Sequence, residues 1–167
     1  MIIRPESPND VIGIYQINVS AFETEAEAGL VNTLREAIPS FISLVAEDSG
    51  EIIGHILFSP VILTGHPDLK LAGLAPMAVI PQKQNSGIGS ALVRAGIAKC
   101  KELGYDAVAV LGHPNYYPRF GFLPSVSFGI RSEYDVPDEV FMILELEKGV
   151  LAANEGIIKF HPAFADL

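Results

Sequence analysis

The chain has 167 residues, 49% of them hydrophobic, and carries 20 acidic against 11 basic residues, a formal charge of −9. This is one domain's worth of chain, with enough residues for a proper core. The acidic balance argues against nucleic acid as the main ligand, because neutralising phosphates takes a basic surface.

No apolar run approaches the ~18 residues of a membrane helix, so no membrane partner is expected. The opening MIIRPESPND has neither the basic start nor the apolar stretch of a signal peptide. A single cysteine, Cys100, rules out an internal disulfide and agrees with a reducing compartment. The expected location is therefore cytoplasmic. Cys100 falls in a helical pattern and reads as a small core residue rather than a nucleophile. The surplus of acid suits a cationic partner such as an amine, although it also serves plain solubility.

Met1 to Arg4 reads as a short strand. Ser7-Pro8-Asn9-Asp10 then opens a helix, with Ser7 as N-cap, proline at the first position and an acid at the third. Val11, Ile14, Tyr15, Asn18 and Phe22 mark its face, with Asn18 the one polar member. Thr24-Glu25-Ala26-Glu27 has the form of a second capping box, and Leu30, Val31, Leu34, Ala37 and Ile38 follow at helical spacing up to Pro39. Phe41 to Leu63 reads as a long hairpin turning at Asp48-Ser49-Gly50-Glu51, with a bulge expected at Gly54. After the turn Thr64 to Asp68, a third strand ends at Ile80.

A helix is expected from about Gly87 to Leu103, stopped by Gly104, and then an almost wholly apolar strand from Tyr105 to Leu111. His113 to Phe122 is a short loop or helical turn. Val126 to Arg131 and Val140 to Glu147 look like closing strands, and Gly156 to Phe160 offers a further edge strand. No linker, repeat or low-complexity segment interrupts residues 1–167.

The stretch that carries chemistry lies between the third strand and the long helix. Gln84, Asn85, Ser86, Gly87, Ile88 and Gly89 form Q-x-x-G-x-G at the helix start. A helix N-terminus carries about half a positive charge and amide N–H groups without intrahelical partners. Glycine there lets the backbone approach a ligand, and the combination suits a phosphate or pyrophosphate. No lysine follows Gly89 as a P-loop requires, and Ser90-Ala91-Leu92 stands where a dinucleotide fingerprint needs its third glycine. An ordinary glycine-rich turn is the plain alternative.

With Val79-Ile80-Pro81 before it, the turn resembles the acetyl-CoA signature of the GNAT superfamily of N-acetyltransferases. A second stretch, Tyr117-Pro118-Arg119-Phe120-Gly121-Phe122, is similar to the Tyr-x-x-x-Gly-Phe motif that ends that family's fourth helix. The resemblance covers about residues 1–147 of a single expected domain, 1–167, and leaves 148–167 as an extension. It implies an α/β (α+β) fold with a mixed, mostly antiparallel central sheet flanked by helices. Acetyl-CoA is then the expected co-substrate and an amine the acceptor. Gly112-His113-Pro114 leaves little room for a full fourth helix before Tyr117.

The resemblance also assigns roles. Met77 and Val79 stand on the strand whose backbone meets the pantetheine arm, and the amides of Gln84, Asn85, Ser86, Gly87, Ile88, Gly89 and Ser90 meet the pyrophosphate. A backbone N–H at Val79 is the expected oxyanion donor. Tyr117, with a phenol of ordinary pKa about 10, is the expected general acid for the leaving thiolate. Tyr116 is its alternative, and simple aromatic packing a third reading. Asn115 is a weaker candidate for the CoA arm.

An ammonium of pKa ~10.4 must lose a proton before it attacks. Gly73 to Ile80 contains no carboxylate to take it. Glu27, with Glu25 and His113, is the candidate base, although acids in a first helical turn also serve the dipole. No His/Cys/Asp cluster has metal-ligand spacing, so no metal is expected. A CoA-binding sensor without turnover stands as the other reading, and edge strands near the C-terminus leave a homodimer open.

Overall fold

Period-two apolar patterns in the longer strands and 3.6-period ones in the helices, broken by glycine and proline turns, underlie the nine strands and three helices of the computed structural model, which describes residues 1–167. The strands are β1 (Ile2–Pro5), β2 (Ile42–Asp48), β3 (Glu51–Leu63), β4 (Leu71–Val79), β5 (Ala107–Leu111), β6 (Leu123–Pro124), β7 (Ile130–Ser132), β8 (Phe141–Glu145) and β9 (Gly156–Lys159). The helices are α1 (Val11–Ala21), α2 (Ala26–Ala37) and α3 (Ile88–Glu102). Most strand pairs are antiparallel; β4 with β5 and β7 with β9 are the parallel ones. The fold is thus α+β with a mixed, mostly antiparallel sheet. No helix is long and apolar enough to cross a membrane.

The chain divides into two compact units. The first comprises Met1–Ser59, Ala75–Lys99 and Pro162–Leu167. In it β1, β2 and the first part of β3 form an antiparallel meander. Ser49 and Gly50 both take positive φ, 52° and 80°. This is the signature of a type I′ hairpin turn, whose twist matches that of the strands. The register passes from Ala46 opposite Gly54 to Glu47 opposite Ile52, so Ile53 is the extra residue of a bulge. The bulge falls beside Gly54 rather than on it.

Gly54 has a packing reason of its own, because a Cβ there would lie 2.9 Å from Leu92 Cδ1 of α3. One turn further along α3, a Cβ on Gly96 would overlap the Phe58 ring. Even positions 54 and 58 of β3 therefore meet α3. His55, between them, points the other way, to Asn18 of α1.

Asn18 and His55 are both fully buried. Asn18 Nδ2 donates to the Ile14 carbonyl at 3.0 Å and lies 3.3 Å from His55 Nδ1, while Ser43 Oγ lies 2.9 Å from His55 Nε2. These contacts tie α1 to the hairpin. At the front of α1, Arg4 reaches both Asp10, at 2.7 Å, and Glu47, at 2.8 Å.

The second unit comprises Pro60–Leu74 and Cys100–His161. Its core is Val61, Leu63, Leu71, Ala107, Ala109, Ile130, Phe141, Ile143, Leu151 and Ile158. Leu71–Leu74 pair in parallel with Ala107–Val110, which is apolar throughout, as a strand covered on both faces must be. β8 runs antiparallel to β5 and also pairs β6.

Two expectations change here. Val126 to Arg131 is not one strand: Ser125–Phe128 form a 3-10 turn, Gly129 at φ 72° redirects the chain, and β7 is only three residues. The C-terminal strand β9 is not an edge, because it pairs β3 at Ile62 and Leu63 on one side and β7 on the other. The C-terminal strand that left a homodimer open is thus already paired on both sides. The second motif itself holds a single 3-10 turn, Tyr117–Phe120, the short helical turn expected between His113 and Phe122. Cys100 is buried, and burial pushes its thiol up to about 12, so it packs as an inert core residue.

Candidate active site

In the first unit, β4 alternates between the core and the accessible side. Pro76 and Ala78 are buried, whereas Met77 and Val79 are half-buried. The Ile80 N–H donates to the Ile53 carbonyl at 3.0 Å, so the polar groups of Ile80 face β3. Along a strand those groups change side at every residue, which turns the N–H and C=O of Val79 to the opposite edge. The parallel pairing of β4 ends at Leu74, so Ala75–Val79 lie beyond its last paired residue. The strand end thus keeps main-chain groups pointing away from its antiparallel partner.

Beyond Val79 the chain makes a 3-10 turn at Pro81–Lys83 and then takes positive φ at Asn85 (62°) and at Gly87 (90°). The Ser86 hydroxyl donates to the Lys83 carbonyl, and Gln84 Nε2 donates to the Val79 carbonyl at 3.0 Å. The loop is therefore pinned to itself and to β4. Gly87 acts as N-cap: its carbonyl accepts the Ala91 N–H at 3.0 Å, the first helical bond of α3. The N–H groups of Ile88 and Gly89 precede that bond and have no intrahelical acceptor.

Gln84, Asn85, Ser86 and Gly87 are exposed, Gly89 and Ser90 are half-buried, and Ile88 is buried as the anchor of the turn. A Cβ on Gly87 would meet nothing within 4 Å. Its glycine is therefore required by conformation, not by crowding. Met1, Asp48, Ile53, Gln82, Lys83, Ser86, Gly87 and Ile88 surround a cleft of about 410 Å³ at this turn. The arrangement is an open backbone cradle at a helix N-terminus, suited to an anionic phosphate group.

Glu27 also lies in this unit, in the first turn of α2. Thr24 Oγ1 accepts the Ala26 N–H at 3.2 Å, but Glu27 does not complete the expected capping box. One oxygen of its carboxylate, Oε1, is buried without a hydrogen-bond partner. Glu25 is exposed at the helix cap.

Tyr117 and Asn115 belong to the second unit. The Tyr117 ring is buried at 7% exposure, edge-on to Tyr116 at 5.0 Å and to Phe122 at 5.6 Å. Gly112 makes room for it, because a Cβ there would overlap the ring. The Tyr117 N–H donates to the His113 carbonyl at 3.4 Å, and Gly121, at φ 99°, ends the turn. Burial, with a smaller contribution from Tyr116, pushes the Tyr117 phenol up to about 12, so it is protonated at neutral pH. Asn115 is exposed, and so is His113. Arg119 stacks over the Tyr116 ring at 4.4 Å and donates to the Tyr116 carbonyl at 2.8 Å, which fits Tyr116 to a structural part.

The sequence is matched by the model of the Acetyltransferase (GNAT) family over residues 11–122. The chain belongs to the GNAT acetyltransferase family. It is 37% identical to the uncharacterized N-acetyltransferase YhbS of Escherichia coli (strain K12) over 165 residues, 98% of each chain. The crystal structure of YhbS in complex with CoA superposes with a TM-score of 0.94 at 36% identity, covering 98% of this chain and 91% of that one. A GNAT family acetyltransferase from Brucella melitensis in complex with acetyl-CoA gives a TM-score of 0.82 at 33% identity, covering 98% and 97%. As a member of this family, the protein is an acetyltransferase enzyme.

Two features of the site were not read from the sequence. Lys83, in the turn before the glycine motif, is paired with Asp48 at 3.0 Å. The pairing joins a hairpin turn to a loop 35 positions on, and nothing local signals it. The buried Asn18–His55–Ser43 group had one visible trace, the polar Asn18 on an otherwise apolar helical face.

Proposed function

We propose that this protein is an N-acetyltransferase that moves the acetyl group of acetyl-CoA to a primary amine of a small molecule or a protein, in the cytoplasm. The observation that carries the reading is the open cradle at the start of α3, with Gly87 at φ 90° and exposed backbone from Gln84 to Gly87. The CoA and acetyl-CoA complexes of the two relatives support the choice of cofactor.

In this reading the amides of Gln84 through Ser90 bind the pyrophosphate, and the β4 backbone at Met77 and Val79 binds the pantetheine arm, with Asn115 as a polar contact. The amine nitrogen attacks the thioester carbonyl carbon, and the Val79 N–H receives the negative charge that forms on oxygen. The C–S bond then breaks, and the thiolate takes its proton from the Tyr117 phenol. Glu27 accepts the proton that the amine gives up; the unpartnered Oε1 supports that part. The products are an N-acetyl amide and CoA.

The experiment is acetyl-CoA turnover, followed as released thiol, against a panel of small amines and amine-bearing peptides. Thiol release with acetylated product is expected for at least one of them. Tight acetyl-CoA binding without turnover across the panel would leave a CoA-binding module and remove the enzyme reading.

A further inference from the structure

Beside the Met1 N-terminal ammonium, which lies 4.0 Å from Asp48 Oδ1, the cleft at the glycine turn contains one cationic side chain, Lys83, and one acidic one, Asp48. These two side chains are bound to each other: Lys83 Nζ donates to Asp48 Oδ2 at 3.0 Å. The hydrogen bond and charge of Lys83 hold the Asp48 carboxyl below the usual carboxylate range. The side chains are 42% and 40% exposed, so the pair sits in high dielectric and exchanges partners at small cost.

The two backbones are fixed. Asp48 is the last residue of β2, next to the type I′ turn. The Lys83 N–H donates to the Ile80 carbonyl at 3.0 Å, and the Lys83 carbonyl accepts the Ser86 hydroxyl. Only the side chains are therefore needed to move. A CoA molecule carries several phosphate charges, and a chain with a formal charge of −9 repels it at long range. Inside the cleft, Asp48 is a fixed anion competing with those phosphates for the same ammonium.

We propose that Lys83 is a further cofactor-binding residue and Asp48 its resident counter-ion: on binding, Lys83 Nζ leaves Asp48 for a phosphate oxygen of acetyl-CoA. This rests on the cofactor reading above. Asp48 thereby sets how strongly the cleft holds the phosphates, and it weakens binding as a rule rather than assisting it. No atom is transferred; one ion pair replaces another.

The test is a calorimetric titration of CoA into the wild type, Asp48→Asn, Lys83→Met and the double variant, at low and at physiological salt. Asp48→Asn is expected to tighten binding about threefold to tenfold, and Lys83→Met to weaken it by a similar factor, each effect shrinking as salt rises. The gain from Asp48→Asn is expected to be smaller when Lys83 is already Met. Equal affinity in all four proteins would overturn the proposal, and so would weaker binding by Asp48→Asn, which would make Asp48 a support for Lys83. Failure of the wild type itself to bind CoA is a different outcome: it would sink the cofactor reading on which this one stands.

Discussion

The side-chain amide of Gln84 donates to the main-chain carbonyl of Val79 at 3.0 Å, joining the first residue of the glycine motif to the last residue of β4. The two parts of the site assigned to pyrophosphate and to oxyanion are thus mechanically linked in the first unit. A hydrogen bond of this kind is worth about 0.5–1.5 kcal/mol. Gln84→Met keeps the length of the side chain and removes the donor. Its kcat is expected to fall about twofold to tenfold, read from steady-state rates at saturating acetyl-CoA; an unchanged kcat would mean that the bond does not hold Val79 for catalysis.

Tyr117→Phe leaves the ring among Tyr116, Phe120 and Phe122 and removes only the hydroxyl. The variant is expected to melt close to the wild type and to lose roughly 10²-fold or more in kcat, with the KM for acetyl-CoA little changed. Because burial holds the phenol at about 12, the wild-type rate should show no descending limb near pH 10, where an ordinary tyrosine ionises. A pH–rate profile checks the second statement independently of the mutant.

Packing of α3 on the sheet depends on Gly96, whose absent side chain leaves space for the Phe58 ring. Gly96→Ala should destabilise the protein by about 1–3 kcal/mol through overpacking. Gly29, inside α2 with nothing within 4 Å of its would-be Cβ, is the counter-example: Gly29→Ala should stabilise by about 0.5–1 kcal/mol through helix propensity. Urea midpoints at constant m-value measure both.

His55 gives a pH dependence with a definite sign. Burial lowers its pKa to about 4, with the Glu6 carboxylate opposing the shift and the Arg35 guanidinium reinforcing it. The unfolded chain protonates near 6.5, so it binds the proton first as pH falls. The contribution of His55 is complete above that value, declines between about 6.5 and 4, and totals roughly 3 kcal/mol. His55→Gln should flatten stability across this window in urea titrations at pH 7, 5.5 and 4.5, whereas an unchanged slope would assign the acid sensitivity to other groups.

Much of this architecture was legible because its signals are local. The Asp48-Ser49-Gly50-Glu51 turn, the Gly87 helix start and the Gly104 stop are each set by the φ that one or two residues adopt. The glycine motif was readable for the same reason, since a cradle needs those residue types in sequence. What escaped depends on contacts between distant segments. Gly129 and the two-sided pairing of β9 reshaped the closing strands, and short strands such as β6 and β7 give too few residues for a period to show. Likewise Lys83 and Asp48 meet only because β4 ends beside the hairpin, and Glu27 leaves its capping box for reasons that a four-residue pattern does not contain.

The most direct test of the cofactor site is an isothermal titration of acetyl-CoA into the wild type, Gly87→Ala and Gly87→Glu. Both variants carry the backbone strain of a side chain at φ 90°, and only the glutamate adds a carboxylate where the pyrophosphate is assigned. The expected result is binding by the wild type, weakened binding by the alanine variant and loss of binding by a still-folded glutamate variant. Wild-type affinity retained in Gly87→Glu, or no binding by the wild type, would contradict the assignment of this turn to acetyl-CoA.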